Sequence, residues 1–220
     1  MFQDLHEISD GKIYTENDMV RVASRDCEGC HACCVGMGNS IVLDPLDVWR
    51  LCTVTGKTFE ELLQREIELH AVDGLILPNL AMTGEDERCA FLNEAGRCEI
   101  HASRPGLCRT FPLGRIYEED TIRYFLQTGA CKKSDRTKIK VSRWLDVPEP
   151  KKNRQFLLEW HSLRRRLEEA LAAEESEETK KAVNMYLLRL FFVTPYQAQG
   201  DFYEEFGQRM AQAKKLVQGR

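Results

Sequence analysis

A chain of 220 residues with 31 basic and 35 acidic side chains carries a net charge of −4 and has room for one domain with an appendage, or two small domains. Its hydrophobic content of 43% supports a real core and excludes wholesale disorder, and no run approaches the ~18 consecutive apolar residues of a membrane span. The charge balance argues against a dedicated nucleic-acid binder, which would be basic. Met1 to Lys12 includes acids and no apolar stretch, so no secretory leader is expected and the expected compartment is the cytoplasm.

In chain order, Asp44-Pro45-Leu46-Asp47 reads as a helix start. Asp44 can cap, Pro45 suits the first helical position, and Asp47 meets the positive end of the dipole. That helix should run through Val48, Trp49 and Leu51 to Gly56. A second should begin at Thr58, where Glu61 completes a capping box, and take in Leu62, Leu63 and Ile67. Cys89–Leu92 and Arg97–Ile100 around Asn93–Gly96 predict a hairpin, and Arg115–Tyr117 with Ile122–Leu126 predict another.

Past Pro148-Glu149-Pro150 the pattern turns helical. Each proline disfavours helix in the residue before it, and between Lys151 and the C-terminus only Pro195 interrupts the run. Helices are expected at about 153–173, 177–192 and 199–216. Phe156, Leu157, Trp160, Leu163 and Leu167 recur at helical spacing and read as packing surface, while Arg164-Arg165-Arg166 reads as a solvated face pairing with Glu168 and Glu169. The expected fold class is α+β. A small cysteine-rich metal-binding domain of hairpins and short helices, residues 1–147, precedes a helical C-terminal segment, residues 148–220.

All nine cysteines lie between Cys27 and Cys131. In a reducing compartment, clustered thiols point to metal ligation rather than disulfides. The run Cys27-Glu28-Gly29-Cys30-His31-Ala32-Cys33-Cys34 places three thiols at two-residue spacing, which lets them converge on one centre, as in bacterial ferredoxins. Were the backbone extended at the vicinal pair, Cys33 and Cys34 would point to opposite sides and could serve different ions. Cys89, Cys98, Cys108 and Cys131 supply a second set on loops. Eight thiols match two four-coordinate centres, and one polynuclear centre could use six or seven. Cys52 falls on the apolar face of the helix after Asp44 and reads as core. His31 and His101 read as hydrogen-bond donors or alternative ligands, and Arg97, Arg104, Arg109 and Lys132 lie near the ligands in sequence.

At these residues the sequence resembles the CxxCxxCC zinc- or iron-chelating cysteine-cluster family and the corresponding part of flagellin lysine N-methylases. The resemblance rests on Cys27, Cys30, Cys33 and Cys34, on Cys89-Ala90-Phe91-Leu92 and Cys98-Glu99-Ile100-His101, and on Arg104-Pro105 followed by Cys108-Arg109-Thr110-Phe111-Pro112. It ends near Cys131. The resemblance implies a cysteine-bound iron–sulfur or zinc centre, and the count of thiols makes the eight cysteines other than Cys52 its expected ligands. A 4Fe-4S cluster is expected ahead of zinc because the C-x2-C-x2-C spacing suits a cluster.

Two function classes fit these residues. One is an enzyme, an iron–sulfur oxidoreductase or a flagellin-type lysine N-methylase with a protein substrate, with Arg104 and Arg109 placed to hold an acidic cofactor. The other is a non-catalytic zinc module that recruits a protein partner. A radical S-adenosylmethionine motif fails at Met37, and neither a GxGxxG nor a GxxxxGK[ST] loop occurs. No general acid or base can be named, and nothing in the sequence fixes the oligomeric state.

Overall fold

The computed structural model describes residue 5 and residues 7–23, 30–197 and 200–218. The fold is α+β: small antiparallel sheets carry the cysteine loops, and three long helices close one side of the core. Strand β1 (Ser9–Tyr14) pairs with β8 (Ile122–Gln127), which pairs in turn with β7 (Leu113–Tyr117). β7 and β8 are the second hairpin read from the sequence, in the register Leu113↔Leu126 to Tyr117↔Ile122. Gly114 stands opposite Phe125, and a Cβ there would fall inside the phenyl ring, so this strand position requires glycine. Strand β2 (Met19–Ala23) pairs with β9 (Arg136–Lys140), a pairing that the sequence did not announce.

Helix α1 (Pro45–Thr55) starts as expected. The Asp44 carboxylate accepts from the Asp47 N–H at 2.9 Å, Asp47 reciprocates to the Asp44 N–H, and Gly56 ends the helix in the left-handed region. Helix α2 (Phe59–Leu62) has the Thr58–Glu61 box but lasts one turn. The expected continuation through Ile67 is incorrect. Ile67 instead opens strand β3 (Ile67–Val72), which folds back on β4 (Leu75–Leu80). Asp73 and Gly74 both take positive φ, so this is the two-residue Asp-Gly hairpin turn whose twist matches its strands.

The hairpin expected over 89–100 is present only at its tip. Asn93 and Gly96 make the turn, but the ladder reduces to the bridge Leu92↔Cys98, and Cys89 pairs elsewhere. Cys89 belongs to β6 (Arg88–Cys89), which pairs with β5 (Met82–Thr83). Two short elements complete this half of the chain: helix α3 (Gly106–Thr110) before β7, and helix α4 (Val141–Leu145) after β9.

The C-terminal helices are α5 (Pro150–Ala172), α6 (Glu177–Leu188) and α7 (Phe202–Gln218), with α6 running on into a π-helical turn, Arg189–Val193. Phe156, Leu157, Trp160, Leu163 and Leu167 are buried, and Phe156 and Trp160 pack edge-on against Phe206 and Phe191. Arg164 and Arg165 pair with Glu168 and Glu169, as their spacing predicts. The buried cluster runs without a break from Val20 to Ala213. Trp49 of α1 packs on Phe202 at 5.4 Å, and Phe59 stacks on Phe192 at 6.0 Å. Buried Asn184 of α6 accepts from the Ile76 N–H at 2.7 Å and donates to the Gly74 carbonyl, fastening the tip of the β3–β4 hairpin to the helices. Among the described residues no helix is long and apolar enough to cross a membrane.

Candidate metal centre

The loops deliver six thiols to one cavity. Cys30, Cys33 and Cys34 border it from the first cysteine run, Cys89 from β6, Cys98 from the bridge beside the Asn93–Gly96 turn, and Cys108 from α3. The cavity encloses about 790 Å³. Cys27 lies outside the described residues. Cys131 sits apart from this group. It comes just after the Gly129 turn and borders a second, much smaller cavity together with Cys30, Cys33, Phe111 and Trp144. Cys30 and Cys33 therefore touch both spaces. Cys52 borders neither; it packs on the core from α1, and burial, with help from Glu60, raises its thiol to about 11.

At Cys33 and Cys34 the backbone is not extended but forms a short 3-10 turn, Ala32–Cys34, closed by the Cys34 N–H donating to the His31 carbonyl at 2.8 Å. Both vicinal thiols consequently face the same cavity and touch each other. The Cys34 thiol donates to the Cys33 sulfur, which lowers Cys33 to about 7 and, together with burial, raises Cys34. Burial raises Cys89 and Cys98, and it raises Cys108 further with the help of Cys89 and Asp47. These mutual effects place the sulfurs within electrostatic range of one another. Among the described residues, however, no three His, Cys, Asp or Glu side chains converge closely enough to hold an ion.

The donor set nevertheless fits a thiophilic metal. Six sulfurs face the space, and no carboxylate lines it to offer a harder oxygen ligand. Thiolates clustered in this way need cations nearby. Arg104 lines the cavity, its charge adds to the lowering of Cys33 and opposes the rise of Cys98, and its guanidinium meets the His101 imidazole. Arg97 and Arg115 also line it. Arg109 does not. Its guanidinium donates to the carbonyls of Ala102 at 2.7 Å and Asp146 at 3.0 Å, tying α3 to the turn after α4. His31 is exposed and lies under Gly96, where an added Cβ would meet its Nδ1 at 2.9 Å, so the imidazole joins the first cysteine run to the Cys98 loop. Lys132 borders the smaller cavity.

Two residues at this site were not singled out for it by sequence reasoning. Asp47, read only as a capping acid, also accepts from the Gly106 N–H at 2.8 Å and so anchors the helix that carries Cys108. Arg115, read only as a strand residue, donates to Thr110 Oγ1 and the Gly106 carbonyl, bracing the same helix from the other side.

No solved structure matches the chain. Residues 26–142, just over half of it, match the family described as "CxxCxxCC: Putative zinc- or iron-chelating domain". That span holds all nine cysteines and ends before the first of the three long helices. A cavity walled by six thiols suits zinc or iron, and the chain belongs to the CxxCxxCC family of zinc- or iron-chelating domains.

Proposed function

We propose that this chain is an iron–sulfur protein whose centre is held at the cysteine-lined cavity. The observation that carries this reading is that six thiols, from four separate segments, line one carboxylate-free cavity. Cys30, Cys33, Cys34, Cys89, Cys98 and Cys108 would supply ligands there. Cys131, beside Cys30 and Cys33, would serve the smaller space, and the spacing of Cys27 adds it to that group. Iron is favoured by the C-x2-C-x2-C spacing and by a cavity with room for more than one ion. Such a centre supplies one-electron transfer. Arg104 compensates anionic sulfur.

The finer roles, redox catalysis or protein-lysine methylation, rest on the resemblance to lysine N-methylases alone. A structural zinc reading has one observation in its favour. The cysteine loops own little regular structure, with a single bridge at Cys98 and two-residue strands at Cys89, so a closed ion would give them order.

Anaerobic purification followed by iron, zinc and acid-labile sulfide assays separates the two. Iron with equimolar sulfide and a reducible visible absorbance supports the cluster. Stoichiometric zinc without sulfide replaces it with the structural reading, and metal-free protein that is fully folded overturns both.

A further inference from the structure

The cysteine cavity is far larger than a metal centre needs. Metal–sulfur bonds of about 2.3 Å confine each ion to a sphere on the order of 50 Å³. Even four ions would fill well under half of the roughly 790 Å³ present. What remains is of the size that takes a small organic molecule, about 300–1,000 Å³.

The rest of the lining is largely apolar, with Met37, Ile41, Leu80, Leu92, Phe111 and Leu113 among its residues. Leu107 also lines the cavity and is 37% exposed, so this wall reaches the surface. The charge on the lining is of one sign. Arg97, Arg104 and Arg115 border it, while no Asp, Glu or Lys does. Among the described residues none of these three arginines makes an ion pair, although the chain as a whole is acidic.

Compensation of the sulfurs accounts for part of this charge, since Arg104 acts on Cys33 and Cys98. It does not account for Arg97, which is exposed and is not among the charges acting on Cys33 or Cys98; Arg115 is engaged in bracing α3 through Gly106 and Thr110.

We propose that the cavity binds an organic anion with an apolar body beside the metal centre. Its acidic group meets Arg97 and Arg104, and its body lies on the Met37–Leu92–Leu113 wall. The proposal rests on the metal reading only in taking the sulfur side to be occupied by the centre.

The test uses the metal-loaded full chain and two fluorescent probes of similar shape: the anionic 1-anilinonaphthalene-8-sulfonate and the neutral N-phenyl-1-naphthylamine. Both should bind saturably with one site per chain, and decanoate but not decylammonium should displace the sulfonate. Arg104→Met and the exposed Arg97→Met should each weaken the sulfonate about tenfold while leaving the neutral probe within about twofold. Leu113→Trp should exclude both probes. Metal content is measured on every sample. Normal metal with no saturable sulfonate binding, or binding indifferent to both arginine changes, overturns the anion site and leaves the arginines as counter-charges of the centre. Metal-free protein overturns the proposed centre instead, and the same titrations on it still decide the cavity.

Discussion

Asp47 Oδ1 accepts the Gly106 N–H at 2.8 Å across 59 residues of sequence, while its Oδ2 takes the Asp44 N–H at 3.2 Å. One carboxylate thus completes the capping box of α1 and fixes the start of the helix that presents Cys108. Asp47 is 2% exposed, so neither hydrogen bond is replaced by water when it is lost. Asp47→Ala should cost about 1–3 kcal/mol in unfolding free energy. Metal content per folded chain should fall with it, because Cys108 loses its bearing. Urea unfolding with parallel metal analysis checks both.

The same pair sets a pH dependence. Burial raises Asp47 to about 7, with Asp44 adding to the rise, and burial raises Asp44 as well. A raised carboxyl keeps its proton in the folded state over a pH range where the unfolded chain has released it. Folding therefore binds protons between about pH 4 and pH 7, and stability should fall as pH climbs through that window. Exposed Asp18 and Asp201 are shifted down and act with the opposite sign at lower pH. Asp47→Asn isolates the effect. It should flatten the slope between about pH 4 and pH 7, even though the amide, with its one accepting oxygen given to the Gly106 N–H, turns only its nitrogen to the Asp44 N–H and absolute stability drops by about 1 kcal/mol. Unfolding curves at five pH values, wild type against variant, give the difference, and parallel slopes would remove Asp47 as the source.

Single Cys→Ser changes at Cys33, Cys34, Cys89, Cys98 and Cys108 should each lower metal stoichiometry. Cys52→Ala should leave it unchanged, because Cys52 borders neither cysteine cavity. Plasma emission analysis of metal per chain reads the series, and a loss at Cys52 equal to that at Cys98 would contradict the placement.

Arg104 and Arg109, five residues apart, should behave as opposites. Arg109→Met leaves the Ala102 and Asp146 carbonyls without their donor and should cost about 1–3 kcal/mol, with metal retained by whatever remains folded. Arg104→Met should change stability less and shift the absorbance or potential of the centre, since its charge bears on Cys33 and Cys98. Thermal melts and a redox titration measured together separate the two residues.

Local signals in the sequence were reliable where one short stretch contained the whole cause. The Asp44 and Thr58 capping boxes, the β7–β8 hairpin, the long C-terminal helices and the packing of half-buried Cys52 against the core all answer to neighbours within a few residues. The β3–β4 hairpin had a local signal too, Asp73-Gly74, masked by extending the α2 apolar pattern to Ile67. The β2–β9 pairing joins Met19 to Lys140 and had no such signal, because register over that separation is set by packing. At the site, cysteine spacing pointed to the donors. It could not show that Cys33 and Cys34 share a helical turn, that Arg109 faces backbone carbonyls, or that Asp47 reaches Gly106. Those depend on how loops far apart in sequence meet.

Helix α1 works as a splint between two halves that the sequence divides at residue 147. Its first turn grips the Cys108 segment through Asp47, and its flank presents Trp49 to Phe202. Cutting out residues 26–142 as a free-standing chelator would uncover Trp49 and Phe59 and leave the Gly74 turn without Asn184. Such a fragment should be sticky and poorly soluble. The helices after Pro150 are then the cover over the apolar flank of α1 and α2, and the cysteine-bearing half keeps its dispersal in water only while that cover is attached.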